Sequence, residues 1–554
     1  MPIRRLRTAP VRPLALLIAF VVVVGTVVTI AASPASAEES VGHLPTAEDF
    51  VTQQYEDFLG RAPDADGLTY WSDLVRQGVE PSALVESMAT SAEFEGVVAP
   101  LVRLYFAFFD RPPDYDGLLY WTARIRDGVT LEQVAQQFVL SSEFQLTYGA
   151  LDDAAYINLV YGNVLDRAAD AGGRDYWIGQ LVGGLARGGL MVAFSDSPEY
   201  REVIDPKVKA TMLYVGMLRR SPERDGLDYW AGVVGGETPY RNVIAGFLGA
   251  AEYGDRMGRI YDQVHPLTGI RTRSADNRPA LAVKIDNVSG ARPQTALERA
   301  DVIYEEMVEG SLTRLIAVFH SDLPDVVGPV RSVRTTDIDI LAMLNTPLLA
   351  ASGANPGVLA VVDGADVVNV NAIEAGSAYF RSSSKRAPHN LFARTDRLHD
   401  AADGRGGTPP MIFHYREPGT APSALSVAAG AGVDIDFGAT EVGFTWSAPD
   451  RGWLRTQNGT AHRVAGGEQL APANVVVLEV PYGASSIDAE SPEAHTVGSG
   501  TVRVLTAGRL VTGTWSRTSA TQPIVLRDGN GTEIGLTGGQ TIVELAPLGS
   551  VVVR

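Results

Sequence analysis

The 554-residue chain has no cysteine, which excludes disulfides, thiol catalysis and cysteine-type zinc sites. Stability must therefore come from packed cores, and a chain of this length can build two or more. Lysine is almost missing too, with four residues against 42 arginines. Positive charge as a whole is scarce: the formal net charge is −19, a balance that repels nucleic-acid phosphates and excludes them as partners. There is no Walker loop, no dinucleotide fingerprint, no Gly-x-Ser-x-Gly elbow and no His-Glu-x-x-His pair. These absences predict no cofactor and no metal.

One long apolar run is present, at the start. Arg4, Arg5, Arg7 and Arg12 precede an apolar stretch from Leu14 to Ile30, and Ala35-Ser36-Ala37 supplies small residues for cleavage, so residues 1–37 read as a secretory signal peptide. The alternative is an uncleaved membrane anchor, since the run is nearly long enough to span a bilayer. No second span follows, so after cleavage the expectation is a secreted, wall-associated protein. The part after residue 37 carries 42 basic and 65 acidic residues, a formal charge of −23.

Repetition fills the next stretch. LGRAPDADGLTYW ends at Trp71, DRPPDYDGLLYW at Trp121, DRAADAGGRDYW at Trp177 and RRSPERDGLDYW at Trp230. An aromatic follows each tryptophan 23 residues later, at Phe94, Phe144, Tyr200 and Tyr253. Each unit reads as a helix such as Phe50 to Leu59, an Arg-x-Pro-Asp-x-x-Gly turn, a Trp-bearing helix and a further short helix. The pattern resembles the domain-of-unknown-function family 4214, a tandem helical module of secreted bacterial proteins, over residues 45–256. Asp64, Asp66 and Gly67 invite a calcium reading. With Gly67 at the sixth position of an EF-hand loop, however, Ala62 and Asp73 would fall at the first and twelfth, so a helix-capping turn is expected instead. The four tryptophans sit at helical spacing that favours core packing over sugar stacking.

After Tyr261 the pattern changes to short apolar runs broken by Gly and Pro, which predicts strands. Leu281 to Ile285, Val302 to Val308 and Leu315 to Phe319 read as strands, and Thr335 to Leu344 as a helix. From Pro409 onward the strands dominate, beginning with Met411 to Tyr415, and GRGGTPP at 404–410 marks a seam. The fold class is thus multi-domain: all-α helical repeats in the N-terminal half, then an α+β domain (262–402) with a β-rich C-terminal half (409–554).

Polar residues cluster at the predicted strand ends. Asp286 and Asn287 close the first strand and Arg292 follows a glycine turn. Glu305 and Glu309 are expected on one face of the second strand. Arg331 and Arg334 lie where a helix begins, a place that favours anions, and Lys385, Arg386, His389 and Asn390 form another basic group. ALAVKIDNVSGARPQTALERADVIYEEMVEG from Ala280, GPVRSVRTTD from Gly328 and KRAPHN from Lys385 resemble the YerB-like bacterial envelope family, the domain-of-unknown-function family 3048 with its C-terminal domain, over about the last 290 residues. The resemblance implies a shared site at these positions. It also implies lipoproteins, a pattern this cysteine-free chain departs from.

Together these features predict that an anionic wall component, a cell-wall polymer or a peptidoglycan-derived ligand, binds through Asp286, Asn287, Arg292, Glu305, Arg331, Arg334, His389 and Asn390. The repeats would then serve as scaffold, attachment module or binding surface for an envelope protein. Two alternatives stand beside this. One is a wall-processing hydrolase or transferase with His389, Glu305 or Asp286 as acid/base. The other is a purely structural scaffold in which Asp286, Arg292, Glu305, Arg331 and His389 form a buried network. A two-carboxylate glycosidase needs about 5 to 9.5 Å between its acids. Glu305 and Glu309 on one extended strand would stand about 13 Å apart.

Overall fold

The computed structural model describes residues 44, 46–417, 420–428 and 432–554; the signal segment 1–37 lies outside the described residues. Helices occupy the first half as far as Ile260, and strands dominate thereafter.

Each helical unit is built on the same contacts. The Trp-bearing helices Ala65–Arg76, Tyr115–Arg126 and Ala171–Val182 are capped by Asp64, Asp114 and Asp170, each accepting from a glycine N–H at 2.8 Å. Asp64 is thus a helix cap, as the motif predicts. Those glycines, Gly67, Gly117 and Gly173, with Gly226 in the fourth unit, are needed for close approach. A Cβ there would stand within 3.0 Å of the hydroxyl of Tyr55, Tyr105, Tyr161 or Tyr214. Each tyrosine in turn carries the turn arginine over its ring, Arg61, Arg111, Arg167 and Arg220 at 4.8 to 5.3 Å. Three of these arginines reach a glutamate 32 residues on: Arg61 to Glu93, Arg111 to Glu143 and Arg220 to Glu252. Trp71, Trp121, Trp177 and Trp230 pack half-buried against the helical core, while the tyrosine before each is at least half exposed.

The units pair out of sequence order. Helix Leu131–Leu140 packs on Arg187–Ser195, joining the second unit to the third, and Pro81–Ala89 packs on Tyr240–Leu248, joining the first to the fourth. That second pairing is closed by a buried ion pair. The Asp57 carboxylate accepts from Arg256 at 2.6 and 2.8 Å and from Gln53 at 2.7 Å, and both ionic side chains are almost inaccessible. Burial raises the Asp57 pKa, and Arg256 opposes that shift.

In the second half one mixed sheet runs through Val427–Ala428, Arg509–Arg517, Gly498–Thr506, Asn474–Val480, Thr541–Pro547, Val302–Met307, Thr313–Phe319, Leu281–Asp286, Leu348–Ala350 and Val368–Asn369, with Val525–Asp528 beside Arg509–Arg517. The sheet crosses the 404–410 seam, because Thr541–Pro547 pairs in parallel with Val302–Met307. The two halves therefore share a backbone ladder. On one face Val283, Ile285, Ile303 and Leu315 pack against a five-stranded sheet that contributes Phe444 and Trp453. On the other, Ala282, Tyr304, Ile316 and Val318 meet Ile340 and Val358 of the helices Thr335–Leu341 and Pro356–Asp363.

Two expectations change. The helix from Thr335 stops at Leu341, ahead of Asn345 and Thr346 with positive φ. Met411 to Tyr415 forms no strand; it makes one bridge to Leu536, and the Tyr415 ring fills the space above Gly269.

Removing one partner of a buried ion pair strands the other charge, at about 3–5 kcal/mol. Arg256→Ala should lose that much in denaturant unfolding followed by far-UV circular dichroism, whereas Asp57→Leu combined with Arg256→Met should recover most of it.

Candidate anion site

Period-two alternation divides the polar residues between the two faces of the sheet. Asp286 and Glu306 both lie opposite Arg314 in the ladder, so these three share the helix-covered face with Lys284. Glu305 lies opposite Leu315 and faces the other way.

At the end of the strand Leu281–Asp286, the buried Asp286 carboxylate meets His389 Nδ1 at 2.7 Å and Arg331 Nε at 3.4 Å. Arg331 is placed by the backbone: its N–H donates to Lys284 O at 2.8 Å and its carbonyl accepts from Ser352 N at 2.9 Å. His389 arrives from the segment before the strand Leu391–Arg394, its ring so close to Gly290 that a Cβ there would sit 3.3 Å from Cδ2. With Nδ1 held by Asp286, Nε2 has no partner among the described residues, and the side chain is 26% exposed. Arg292-Pro293, Gly328-Pro329 and Ala387-Pro388, one in each sequence block that supplies this region, are cis peptides.

Two more guanidinium groups stand beside this trio. Arg334 is held by both oxygens of Glu309 at 2.7 and 2.8 Å. Burial works against ionisation of Glu309, but Arg334 and a hydrogen bond from Ser491 outweigh it and hold its pKa at about 2. Arg314 is less well served. It donates to Ser332 O at 3.2 Å and stands 3.8 Å from Glu309. Burial, then the charge of Arg334, pushes its pKa down to about 10. Three guanidinium groups thus share two carboxylates.

Under them lies a cluster that sequence reasoning missed. Lys284, fully buried, donates to Glu306 and, at 2.7 Å, to Asp337. One ammonium cannot balance two buried carboxylates, and burial, then the Asp337 charge, pushes Glu306 up to about 8. The available signal was a lysine, one of only four, inside the apolar run LAVKID.

On the opposite face Asn287 and Glu305 enter a closed network. Asn287 Nδ2 donates to Glu305 at 3.0 Å and to Thr313 at 2.8 Å, and Arg455 completes the Glu305 carboxylate. His462 bridges Arg455 and Gln294, and burial pulls its pKa well below the usual histidine value. Glu544 lies beside Glu305 in register; burial, then the charge of Glu305, pushes its pKa well above the carboxylate range. Since Asn287, Glu305, Gln294, Arg455 and His462 are at most 1% exposed, Asn287 and Glu305 serve here as internal fastenings, out of reach of a ligand at Asp286.

Of the remaining expected residues, Glu309 leaves the face of Glu305 because its strand ends at Met307 and a turn at Glu309–Ser311 redirects the chain. Asn390 faces the strand Tyr379–Arg381 that precedes it, accepting from Arg381 at 2.7 Å. Arg292 has a buried Nε with no hydrogen-bond partner, and burial, then Arg455, lowers its pKa. A groove of about 410 Å³ between Met411–His414 and Ser516–Val525 contains none of these residues. Among the described residues no three His, Asp or Glu side chains converge as a metal site would require.

Residues 267–408 match the N-terminal domain, and 433–543 the C-terminal domain, of the family described as "Protein of unknown function (DUF3048)". Segments 29–98, 102–144 and 135–204 match "Domain of unknown function (DUF4214)". The C-terminal half thus carries both domains of the DUF3048 family, with DUF4214 repeats ahead of that region. It is 27% identical over 245 residues, 41% of its own length and 72% of the relative's, to the "Putative lipoprotein YerB" of Bacillus subtilis. The crystal structure of that organism's YerB protein aligns with a TM-score of 0.46 at 23% identity, covering 53% of this chain and 99% of the other.

The Glu306 shift has a defined pH consequence. A carboxyl whose folded pKa is raised stabilises the fold fully below its unfolded pKa of about 4.5, and that stabilisation is lost as pH rises through about 8. Melting temperature should therefore fall between pH 5 and 8.5, and Glu306→Gln should flatten that slope in differential scanning calorimetry.

Proposed function

We propose that this is an exported envelope protein whose α+β domain binds an anionic wall component at Asp286, Arg331 and His389, with the helical repeats as scaffold or attachment module. The observation that carries the reading is the charge imbalance: among the described residues Arg314, Arg331 and Arg334 form ion pairs only with Asp286 and Glu309, in a chain that is otherwise strongly acidic. An anion there would face the partly exposed Arg331 and the free Nε2 of His389, while Arg334, already neutralised by Glu309, supports the site from behind. Arg292, whose charged neighbours are Arg455 and Glu305, lies toward the sealed network and not toward this anion. The arginine-flanked leader and the name of the Bacillus subtilis relative support an envelope location.

The wall-processing alternative rests on the Asp286–His389 hydrogen bond, which orients an imidazole with its second nitrogen free, as general acid/base chemistry requires. Glu305, sealed on the opposite face, does not take part in that version.

Both readings can be tested with purified cell-wall sacculi. Arg331→Gln should weaken co-sedimentation about tenfold, the effect of losing one charge-assisted hydrogen bond, with the melting temperature unchanged. If the variant melts several degrees lower and still sediments fully, the cluster is a structural network. Soluble wall fragments found by mass spectrometry with the wild type, and not with His389→Ala, would establish the enzyme reading.

A further inference from the structure

From Ala375 to Thr395 the chain carries Arg381, Lys385, Arg386 and Arg394 and no acidic residue. These residues form the hairpin of Tyr379–Arg381 and Leu391–Arg394, whose connection is ordered by its own hydrogen bonds: Ser382 N to Asn390 O at 2.9 Å, His389 N to Arg386 O at 2.9 Å and Arg381 to Asn390 at 2.7 Å. Among the described residues none of the four cations has a carboxylate partner, although most other arginines do. Arg394 lies over the Phe380 ring at 4.5 Å, and Arg381 donates only to Asn390. Arg381, Arg386 and Arg394 are exposed and Lys385 is partly so.

The layout separates the cations along a line. Leu391 pairs with Arg381, and Arg394, three residues or about 10 Å along the strand, projects from the opposite face with Phe380; the line is therefore made by Arg394 and, beyond the other end of its strand in the connection, by Lys385 and Arg386. One small anion cannot touch both ends, whereas a chain with a charge on every repeat can. At the base of the connection sits His389, against Asp286.

We infer that this hairpin is the docking strip for a linear phosphodiester polymer, which runs along it to the Asp286, His389 and Arg331 cluster; the inference rests on the anion-site reading above. Phosphate suits the tip because Lys385 and Arg386 are adjacent charged donors, and phosphate oxygens accept several donors at once. A lipid surface fits less well. Basic segments that hold membranes carry exposed apolar anchors, but the tip Ser382 to Pro388 has none, Phe392 is buried, and Phe380 is covered by Arg394.

Fluorescence anisotropy of the full-length chain with labelled long-chain inorganic polyphosphate, repeated between about 50 and 200 mM salt, tests this. The variant K385Q/R386Q/R394Q alters side chains that donate no hydrogen bond within the protein, so its fold should hold. Polyphosphate affinity should fall tenfold or more, and the slope of log affinity against log salt should shrink by about 2, three contacts at about 0.7 each. Inorganic pyrophosphate, small enough for the cluster alone, should bind wild type and triple variant equally and should be lost in Arg331→Gln. Unchanged polyphosphate binding by the triple variant overturns the docking strip while leaving the cluster standing. Pyrophosphate binding that Arg331→Gln does not alter overturns the cluster instead, whatever the polymer does. Tighter binding to phosphatidylglycerol vesicles than to polyphosphate, lost in the same triple variant, makes the hairpin a membrane contact and overturns the polymer.

Discussion

The parallel ladder between Val302–Met307 and Thr541–Pro547 is the constraint on which the second half depends. It joins segments about 240 residues apart in sequence, and every other strand of the large sheet takes its place relative to that pair. Because the ladder sets register, it also decides which carboxylates become neighbours. Glu544 falls beside Glu305, and Glu306 is turned to the opposite face beside Arg314. The fastening by Arg455 across to Glu305 follows from the same register. Joining strands this distant is entropically costly and slow to nucleate, so the buried polar network that accompanies the ladder gives specificity to a pairing that hydrophobic contact alone would leave free to slip by two residues.

The sheet then acts as a partition between two kinds of polar cluster. On the face covered by the five-stranded sheet, Asn287, Glu305, Gln294, Arg455 and His462 satisfy one another and are sealed from water. On the helix-covered face a sealed layer, Lys284 with Glu306 and Asp337, lies beneath a partly open one, Asp286 with Arg331 and His389. A buried polar group without a partner is costly, and the sealed clusters answer that cost internally. The open one leaves His389 Nε2 and part of Arg331 to the outside, where a ligand can reach them.

Much of the architecture was legible. The repeats, the switch from helices to strands after Tyr261 and three central strands could be read from periodicity and from turn residues, since those signals are local. Asp286, Arg331 and His389 were legible as polar residues at strand ends, and they do converge. What could not be read was register and partner choice. The expectation that Glu305 and Glu309 share a face assumed a strand running past Met307; Gly310-Ser311 signals a turn but does not say that the strand ends ahead of Glu309. Arg455 and His462 lie about 150 to 170 residues after the residues they fasten, in a polar stretch that carries no sign of which strand it will meet, so only the fold assigns them. Lys284 was visible as an ion inside an apolar run, but its two acidic partners come from another strand and a helix.

The out-of-order pairing of the helical units bears on how such an array can change. The first unit is completed by the fourth and the second by the third, so the natural increment of growth is a nested pair. Deleting or duplicating a single unit would leave one helix face unmatched, and loss of the first or the fourth would strand the Asp57 carboxylate or its arginine. An open solenoid tolerates lengthening by one repeat at a time. This one resembles a closed set of parentheses, in which the outermost partner must be retained whenever the inner ones are multiplied.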